Sequence, residues 1–511
     1  MSFNYKNLQN GTDIRGIALE GIENEHVNLT EEICEKFALS FSLWLSKEKN
    51  KKINDLKIAI GMDSRLSGPN LKKALIKGFI SYGVQVYDCN LASTPAMFMT
   101  CVTEPFYFDG SIMVTASHLP FNRNGLKFFT EKGGLEKEDI SEIINIAENE
   151  KFLLPCSKGS KLEIDFISVY SNKIADFIRK EVNSSVNYDM PLSGLKIVVD
   201  AGNGAGGFFA TKILEPLGAN IEGSQFLNPD GNFPNHIPNP ENKEAMESIR
   251  AAVLDSNADF GIIFDTDVDR AAAVDENGDE INRNKLIALI SAIILEKSKG
   301  ATIVTDSITS NGLKTFIEED LGGIHHRFKR GYKNVINEAI RLNALGQNTE
   351  LAIETSGHAA LKENYFLDDG AYLIAKILIK LAKLKQENKS IHSLINTLKL
   401  PLESVEFRMK INTEDFRDYG NKIIDALNIY ANKNNWIIVP NNYEGVRISF
   451  PKENGDGWFL LRLSLHDPII PVNIESDSVS GVLKISNYLN DFLNDFTKLN
   501  LDPIKTYIKN N

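Results

Sequence analysis

Three stretches of this chain repeat one pattern. Leu56–Gly61 runs apolar into the polar Met62-Asp63-Ser64-Arg65. Leu195–Val199 runs into Asp200-Ala201-Gly202-Asn203-Gly204, and Ala301–Val304 into Thr305–Gly312. Apolar residues at helical spacing follow, such as Leu71, Ala74, Leu75 and Phe79, and then a second short strand: Val84–Tyr87, Ala219–Ile221, or Ile324 onward. Strand, helix and strand at this spacing predict parallel pairing with right-handed crossovers. The modules begin about 105 to 140 residues apart, which is domain-sized rather than solenoid-sized. At 511 residues the chain is also too long for one core. The expected fold class is therefore α/β, with three tandem related α/β domains whose mixed sheets are mostly parallel. In such sheets ligands sit beyond the carboxyl ends of the strands, where all three polar loops lie.

After Leu400 the pattern changes. Val446–Phe450, Trp458–Ser464 and Val472–Glu475 alternate and are separated by turn signals such as Asn454-Gly455-Asp456-Gly457. They predict antiparallel strands, flanked by helices over Phe416–Asn432 and Ser478–Leu499, in a smaller C-terminal α+β domain. The short tail after Leu499 reads as solvated. The expected domains are 1–165, 166–285, 286–400 and 401–511.

Composition narrows the function. The net charge of −12 offers no general attraction to nucleic acid or anionic membranes. The four scattered cysteines contain no C-x-x-C pair, and the N-terminus has no apolar signal core, so a reduced, cytoplasmic protein is expected. The longest nearly apolar run, Leu286–Leu295, is about half of a membrane span and reads as a buried helix.

Chemistry concentrates on a few loops. The apolar Ser111–Val114 runs into Thr115-Ala116-Ser117-His118-Leu119-Pro120, lifting a serine hydroxyl onto a strand end with His118 beside it and Lys127 ten residues on. That is how a nucleophile or a phosphate-carrying serine is displayed. The strand Phe260–Phe264 runs into Asp265-Thr266-Asp267-Val268-Asp269-Arg270, whose alternate carboxylates converge on a hard cation with oxygen ligands. An EF-hand is rejected, because Arg270 takes the required glycine position and a strand precedes the loop. A phosphatase with Asp265 as nucleophile is a competing reading. Glu354-Thr355-Ser356-Gly357-His358 offers groups suited to sugar hydroxyls and proton transfer, or else a helix cap on Ser356. Arg462-Leu463-Ser464-Leu465-His466-Asp467-Pro468 gathers donors suited to a phosphate. Asp13-Ile14-Arg15-Gly16 and Arg330-Gly331-Tyr332-Lys333 read as surface charge unless something nearby needs them. Gly202–Gly207 matches G-x-G-x-x-G with Glu222 about twenty residues on, but Asp200 would face the pyrophosphate and the other modules lack the glycines.

With four such loops in order from Asp13 to about Glu475, the chain resembles the α-D-phosphohexomutases, in particular the bacterial phosphomannomutase/phosphoglucomutase group. Thr115–Pro120 is similar to the family's phosphoserine loop, usually T-A-S-H-N-P. Asp265–Arg270 is similar to its D-x-D-x-D-R magnesium loop, Glu354–His358 to its G-E-x-S-G-H sugar loop, and Arg462–Pro468 to its R-x-S-x-T-x-P phosphate loop. The resemblance implies a phosphorylated Ser117 that completes a Mg2+ site with Asp265, Asp267 and Asp269. It implies Lys127 and His358 as proton carriers, and Arg15 and Arg270 on the transferred phosphoryl group. His118, Glu354 and Ser356 would bind substrate, with Arg462, Ser464 and His466 on the phosphate that does not react. The implied reaction interconverts hexose 1-phosphate and hexose 6-phosphate through a hexose 1,6-bisphosphate, which also serves as activator. The partners are small hexose phosphates, with no nucleic acid or membrane, and the protein is a monomer or homodimer. Departures are Leu119 for asparagine, Ile353 for glycine, and Leu465-His466-Asp467 where a threonine hydroxyl is usual. Ser307 and Ile308 stand near where some relatives place a lysine. Mannose and glucose are not distinguished, and an amino-sugar phosphate is a further alternative. A metal-dependent sugar phosphatase, a nucleotide-binding dehydrogenase and a non-catalytic sugar-phosphate-binding relative are the rival functions.

Overall fold

The strand of the first module, Lys57–Met62, lies between two parallel neighbours, Gln85–Leu91 and Gly110–Val114. The full sheet runs Gln9–Asn10, Asp13–Ile17, Arg123–Thr130, Gly110–Val114, Lys57–Met62, Gln85–Leu91 and Ser160–Glu163, with a short strand Gly133–Gly134 added to Arg123–Thr130. It is parallel from Gly110–Val114 to Ser160–Glu163 and antiparallel on the other side. Helices Glu31–Lys49 and Gly68–Ser81 bury Phe37, Phe41, Leu75 and Phe79 with Ile58, Ile112 and Phe128 in one core. Each such side chain contributes about 1.5–3 kcal/mol on burial. Thr30 and Ser93 cap their helices by accepting backbone N–H bonds, as short hydroxyl residues do at helix starts.

This computed structural model describes residues 4–149, 158–464 and 467–511. It divides into a first unit, Met1–Leu286 with Ser356–Leu394, and a second, Ile287–Thr355 with Ile395–Asn511. The division falls within the helix Arg283–Lys297, which contains the buried run Leu286–Leu295 read from the sequence; the expected boundary at 285/286 lies in the same helix. No helix among the described residues is long and apolar enough to cross a membrane.

The second module, also in the first unit, pairs Ile197–Asp200 in parallel with Phe260–Phe264 and adds Ala271–Asp275 and Glu280–Ile281 antiparallel. Helix Lys243–Ser256 covers it through Met246, Ile249 and Val253. The strand expected at Ala219–Ile221 is only an isolated bridge between Lys196 and Asn220. Gly218 and Gly223 flank those residues and weaken a ladder, and Gly218, at φ +88°, ends the helical turn Glu215–Leu217 before them.

In the second unit the third module forms a parallel trio, Ile324–Arg327, Thr302–Thr305 and Thr349–Ile353. The C-terminal sheet is antiparallel throughout, in the order Glu403–Lys410, Ile469–Ser476, Gly457–Leu461, Val446–Phe450, Ile437–Ile438. Helices Phe416–Lys433 and Gly481–Leu493 pack on it. The tail read as solvated is instead a helix, Asp502–Asn510, because Ile504, Tyr507 and Ile508 make one apolar face that joins this core.

The three modules thus share one device. Each has a parallel strand pair whose carboxyl ends lie side by side: Met62 beside Val114, Asp200 beside Ile263, Thr305 beside Ile353. The serine loop, the acidic loop and the Glu354 loop each leave one of these ends.

Candidate active site

In the serine loop, Thr115 Oγ1 donates to Asp63 Oδ2 (2.6 Å) and accepts the Ser117 N–H (2.9 Å). This turns Ser117, 1% exposed, into the left-handed region at φ +50°, a conformation costing a non-glycine residue on the order of 1–2 kcal/mol. Arg65 holds the strained loop from beneath. Its Nη1 donates to the carbonyls of Pro120 (2.7 Å) and Arg123 (3.0 Å), and its Nη2 to those of Leu119 (2.6 Å) and Ser117. Arg65 is 1% exposed, and hydrogen bonds from a charged donor contribute about 1.5–3 kcal/mol each. Asp63 lies 3.4 Å from its Nε, and burial pushes the Asp63 carboxyl up to about 6 despite the guanidinium beside it. The loop binds through backbone carbonyls, so Leu119 in place of asparagine leaves this support intact.

The acidic loop is buried from Asp265 to Arg270, and Val268 sits at φ +67°, a costly position for a β-branched residue. Oxygens of Asp265, Asp267 and Asp269 lie within 4.8 Å of one another. Lys127 Nζ lies 3.0 Å from Asp267 Oδ2 and 2.5 Å from Asp269 Oδ2, and Thr94 Oγ1 donates to Asp267 Oδ2 (2.5 Å). The Oδ1 atoms of Asp267 and Asp269 are buried without a hydrogen-bond partner. Burial, then Asp269 and Asp267, raise the Asp265 carboxyl well above the usual range. Burial acts on Asp269 in the same sense, but Lys127 and then His358 and Arg270 hold it far below that range. Three convergent carboxylates with two unsatisfied oxygens fit a hard divalent cation taking oxygen ligands.

These two loops meet within the first unit. Ser117 Oγ donates to Asp265 Oδ2 (2.9 Å) and accepts from Arg270 Nη2 (3.3 Å). Arg270 Nη2 also donates to His118 Nδ1 (2.6 Å), which fixes the imidazole as an acceptor there. The charge of Arg270, then burial, pushes His118 down to about 2, so it stays neutral. Arg15 Nη1 donates to the Ala116 carbonyl (2.9 Å), and its Nη2 pairs with Asp13 (2.9 Å). His358 Nδ1 faces Asp368 and lies 3.9 Å from Asp269. Burial opposes its charge, but Asp368 and Asp269 together raise it above the ordinary histidine value. Ser356 is buried in the turn 354–358. No helix starts there, so the cap reading fails.

In the second unit, Glu354 Oε1 accepts the Gly331 N–H (2.5 Å), and Thr355 Oγ1 donates to Asp306 Oδ2 (2.6 Å). Asp306 and Thr355 repeat the Asp63–Thr115 arrangement of the first module. Burial, then Glu354, pushes Asp306 up to about 7. The backbone at Arg330 and Gly331 bridges two carboxylates, since the Arg330 N–H donates to Glu444 Oε2 (3.1 Å) and the Gly331 N–H to Glu354. Glu444 also accepts from Ser307 Oγ (2.5 Å) and lies 3.8 Å from Arg462 Nη1. Ser464 Oγ accepts the Asp467 N–H (3.2 Å). His466, expected to bind phosphate, and Leu465 lie outside the described residues.

The dinucleotide reading does not survive. A Cβ on Gly204 would meet the Thr266 carbonyl oxygen at 2.7 Å, and one on Gly207 the Leu227 carbonyl oxygen at 2.1 Å. These glycines admit the chain's own backbone, including the acidic loop, rather than a pyrophosphate. Asp200 is occupied by His236 (3.0 Å), Gln225 (2.8 Å) and the Gly202 N–H (2.8 Å), and Glu222 is largely exposed.

Sequence reasoning missed Asp63, Arg65, Thr94, Asp368 and Glu444. A signal existed for the first: Asp63, Asp200 and Asp306 close the first strand of all three modules. Thr94, Asp368 and Glu444 carry no local signature.

Comparison with known proteins agrees with this geometry. Family models described as phosphoglucomutase/phosphomannomutase alpha/beta/alpha domains I, II and III match residues 6–154, 169–278 and 282–400. The chain is 31% identical over 430 residues to a phosphomannomutase/phosphoglucomutase of Pseudomonas aeruginosa, covering 84% of this chain and 85% of that one. It is 30% identical over 464 residues to a phosphoglucomutase/phosphomannomutase of Thermococcus kodakarensis, covering 90% and 93%. Among solved structures it is similar to a phosphoglucomutase/phosphomannomutase family protein from Burkholderia thailandensis, with TM-score 0.76, 26% identity, and coverage of 95% and 96%.

Proposed function

Because the chain belongs to the phosphoglucomutase/phosphomannomutase family of α-D-phosphohexomutases, we propose that it interconverts hexose 1-phosphate and hexose 6-phosphate through a phosphorylated Ser117. The observation that carries this reading is the buried Ser117 hydroxyl, 2.9 Å from Asp265 and 3.3 Å from the Arg270 guanidinium. A divalent cation, Mg2+ in this reading, would be held by Asp265, Asp267, Asp269 and an oxygen on Ser117, and when bound supplies positive charge against the phosphoryl oxygens.

The chain's own residues do the rest. Phospho-Ser117 gives its phosphoryl group to the free hydroxyl of the hexose monophosphate, forming a hexose 1,6-bisphosphate whose other phosphate then returns to Ser117. Arg270 and Arg15 balance charge on the transferred group, and His118, kept neutral by Arg270, binds beside it. His358, oriented by Asp368, and Lys127 take and return the proton of the reacting hydroxyl. Glu354 and Ser356 bind hydroxyls of the sugar, and Arg462, Ser464 and His466 the phosphate that stays.

A coupled assay with glucose 1-phosphate and mannose 1-phosphate in parallel, with Mg2+ and a trace of hexose 1,6-bisphosphate, tests the proposal. Turnover that vanishes in Ser117→Ala, together with one phosphate in the intact mass of the wild type, supports it. Release of inorganic phosphate from hexose phosphate that persists in Ser117→Ala overturns it in favour of the phosphatase. Hexose-phosphate binding without turnover overturns it in favour of a non-catalytic relative.

A further inference from the structure

The second unit contains a cavity of about 240 Å³ whose walls share only Ser307 with the site residues described above. Arg327 and Arg447 line it, and both are committed to one loop. Arg447 Nη1 donates to the Ser307 carbonyl (2.8 Å), and its Nη2 to the Thr309 carbonyl (3.1 Å) and Asn311 Oδ1 (3.2 Å). Arg327 Nε donates to Thr309 Oγ1 (3.1 Å) and its Nη2 to the Ser310 carbonyl (2.7 Å). Arg447 is 1% exposed, its guanidinium carbon lies 3.5 Å from the centre of the Trp458 ring, and its Nε has no hydrogen-bond partner.

Neither guanidinium has a carboxylate within ion-pair distance among the described residues. Glu475 and Glu318 act on Arg327 only at longer range. Glu475 accepts from Trp458 Nε1 (3.0 Å), and burial pushes it up to about 7 against the pull of Arg447 and Arg327. Glu318 is shared with Lys314 (3.8 Å) on the cavity wall. Burial keeps His325 neutral, with Nε2 2.8 Å from Thr305 Oγ1 and Nδ1 unpartnered. Arg447, buried, and Arg327, part-buried, repel each other, and Glu475, Glu318 and Asp306 oppose their charge only from beyond ion-pair distance, so an anionic ligand placed between them is favoured. On a chain of net charge −12 such a cluster is a local exception.

The rim adds a second kind of recognition. Tyr443, 41% exposed, lies 5.0 Å from the Phe328 ring and 5.4 Å from His326. We propose that this cavity is a second ligand site that binds a small phosphate monoester. The phosphate lies against Arg327 and Lys314, with Arg447 behind, and the sugar or base lies against Tyr443 and Phe328. The volume is below the ~300–1,000 Å³ of drug-sized pockets, which excludes a dinucleotide.

The test uses the full chain carrying Arg462→Gln, which weakens phosphate binding at the reacting site, and calorimetric titration with AMP, glucose 6-phosphate and inorganic phosphate. Saturable binding is expected, with Trp458 fluorescence changing in step. Arg327→Gln and the surface change Lys314→Gln, which spares the fold, should each weaken it by about tenfold. Tyr443→Ala should weaken the organic probes but not inorganic phosphate. Tighter binding of AMP or of glucose 6-phosphate identifies the body of the ligand, and either supports the site. No saturable binding at millimolar probe, or binding that Lys314→Gln and Arg327→Gln leave intact, overturns it.

Discussion

Arg65 touches no reacting atom in the proposed chemistry, yet four backbone carbonyls of the serine loop accept its hydrogen bonds. Arg65→Lys keeps the charge and replaces a fork of donors with a single nitrogen, which cannot reach carbonyls spread from Ser117 to Arg123. At least two charge-assisted bonds are lost, at about 1.5–3 kcal/mol each, or roughly 3–6 kcal/mol before water and relaxation recover part of it. The left-handed Ser117 then has less to hold it, and its hydroxyl drifts from Asp265 and Arg270. A displacement near 1 Å at a reacting group costs about 100-fold in rate. The expected result is a fall in kcat of about that size with KM near the wild-type value, a Tm lower by several degrees, and slower phosphorylation of Ser117 by hexose 1,6-bisphosphate in intact-mass time courses. Steady-state kinetics and calorimetry on the same preparation read all three. Wild-type kcat together with unchanged Tm would refute the reasoning, since the loop would then be held by something other than Arg65.

Three further outcomes follow from the same contacts. Thr94→Val removes the hydroxyl that orients Asp267 and should weaken Mg2+ binding by about 10–100-fold, read by titration of the metal-free protein; unchanged affinity would dismiss Thr94 as an orienting group. Asp269→Asn removes one carboxylate and the counter-charge of Lys127, so both Mg2+ affinity and turnover should fall, and retention of both would exclude the acidic loop as the cation site. Glu475 has its folded pKa raised to about 7 from 4.5, chiefly by burial, so protonation favours the folded state. Its contribution is greatest below about pH 4.5 and is lost as pH rises towards 7. Glu475→Gln should flatten that decline and stabilise the protein at pH 8 by up to about 3 kcal/mol, and an unchanged pH dependence of unfolding would exclude Glu475 as its source.

Much of this protein was legible one segment at a time. An apolar strand ending in a polar loop is a local event, so Thr115–Pro120, Asp265–Arg270 and Glu354–His358 stood out before any contact was known. The repeated strand–helix–strand pattern likewise indicated the three modules, and an uninterrupted apolar run the buried helix around Leu286–Leu295. Local reading misled where neighbours decide. Ala219–Ile221 has strand-like residues but no sustained ladder. The tail after Leu499 is polar by composition, yet it folds because Ile504 finds the C-terminal core. At 202–207, by contrast, the sequence already weighed against its nucleotide fingerprint through Asp200, and the space is indeed taken by Thr266 and Leu227.

What the sequence determined was which groups stand at strand ends, because that depends on residues adjacent in the chain. Tertiary structure alone decided their partners: Ser117 meets Asp265 across 148 residues, Thr94 meets Asp267 across 173, and Arg65 reaches the serine loop across more than 50. Contacts that distant leave no periodic trace, since they are fixed by how loops of the same or separate sheets pack together and by the burial that makes an unpaired polar group costly.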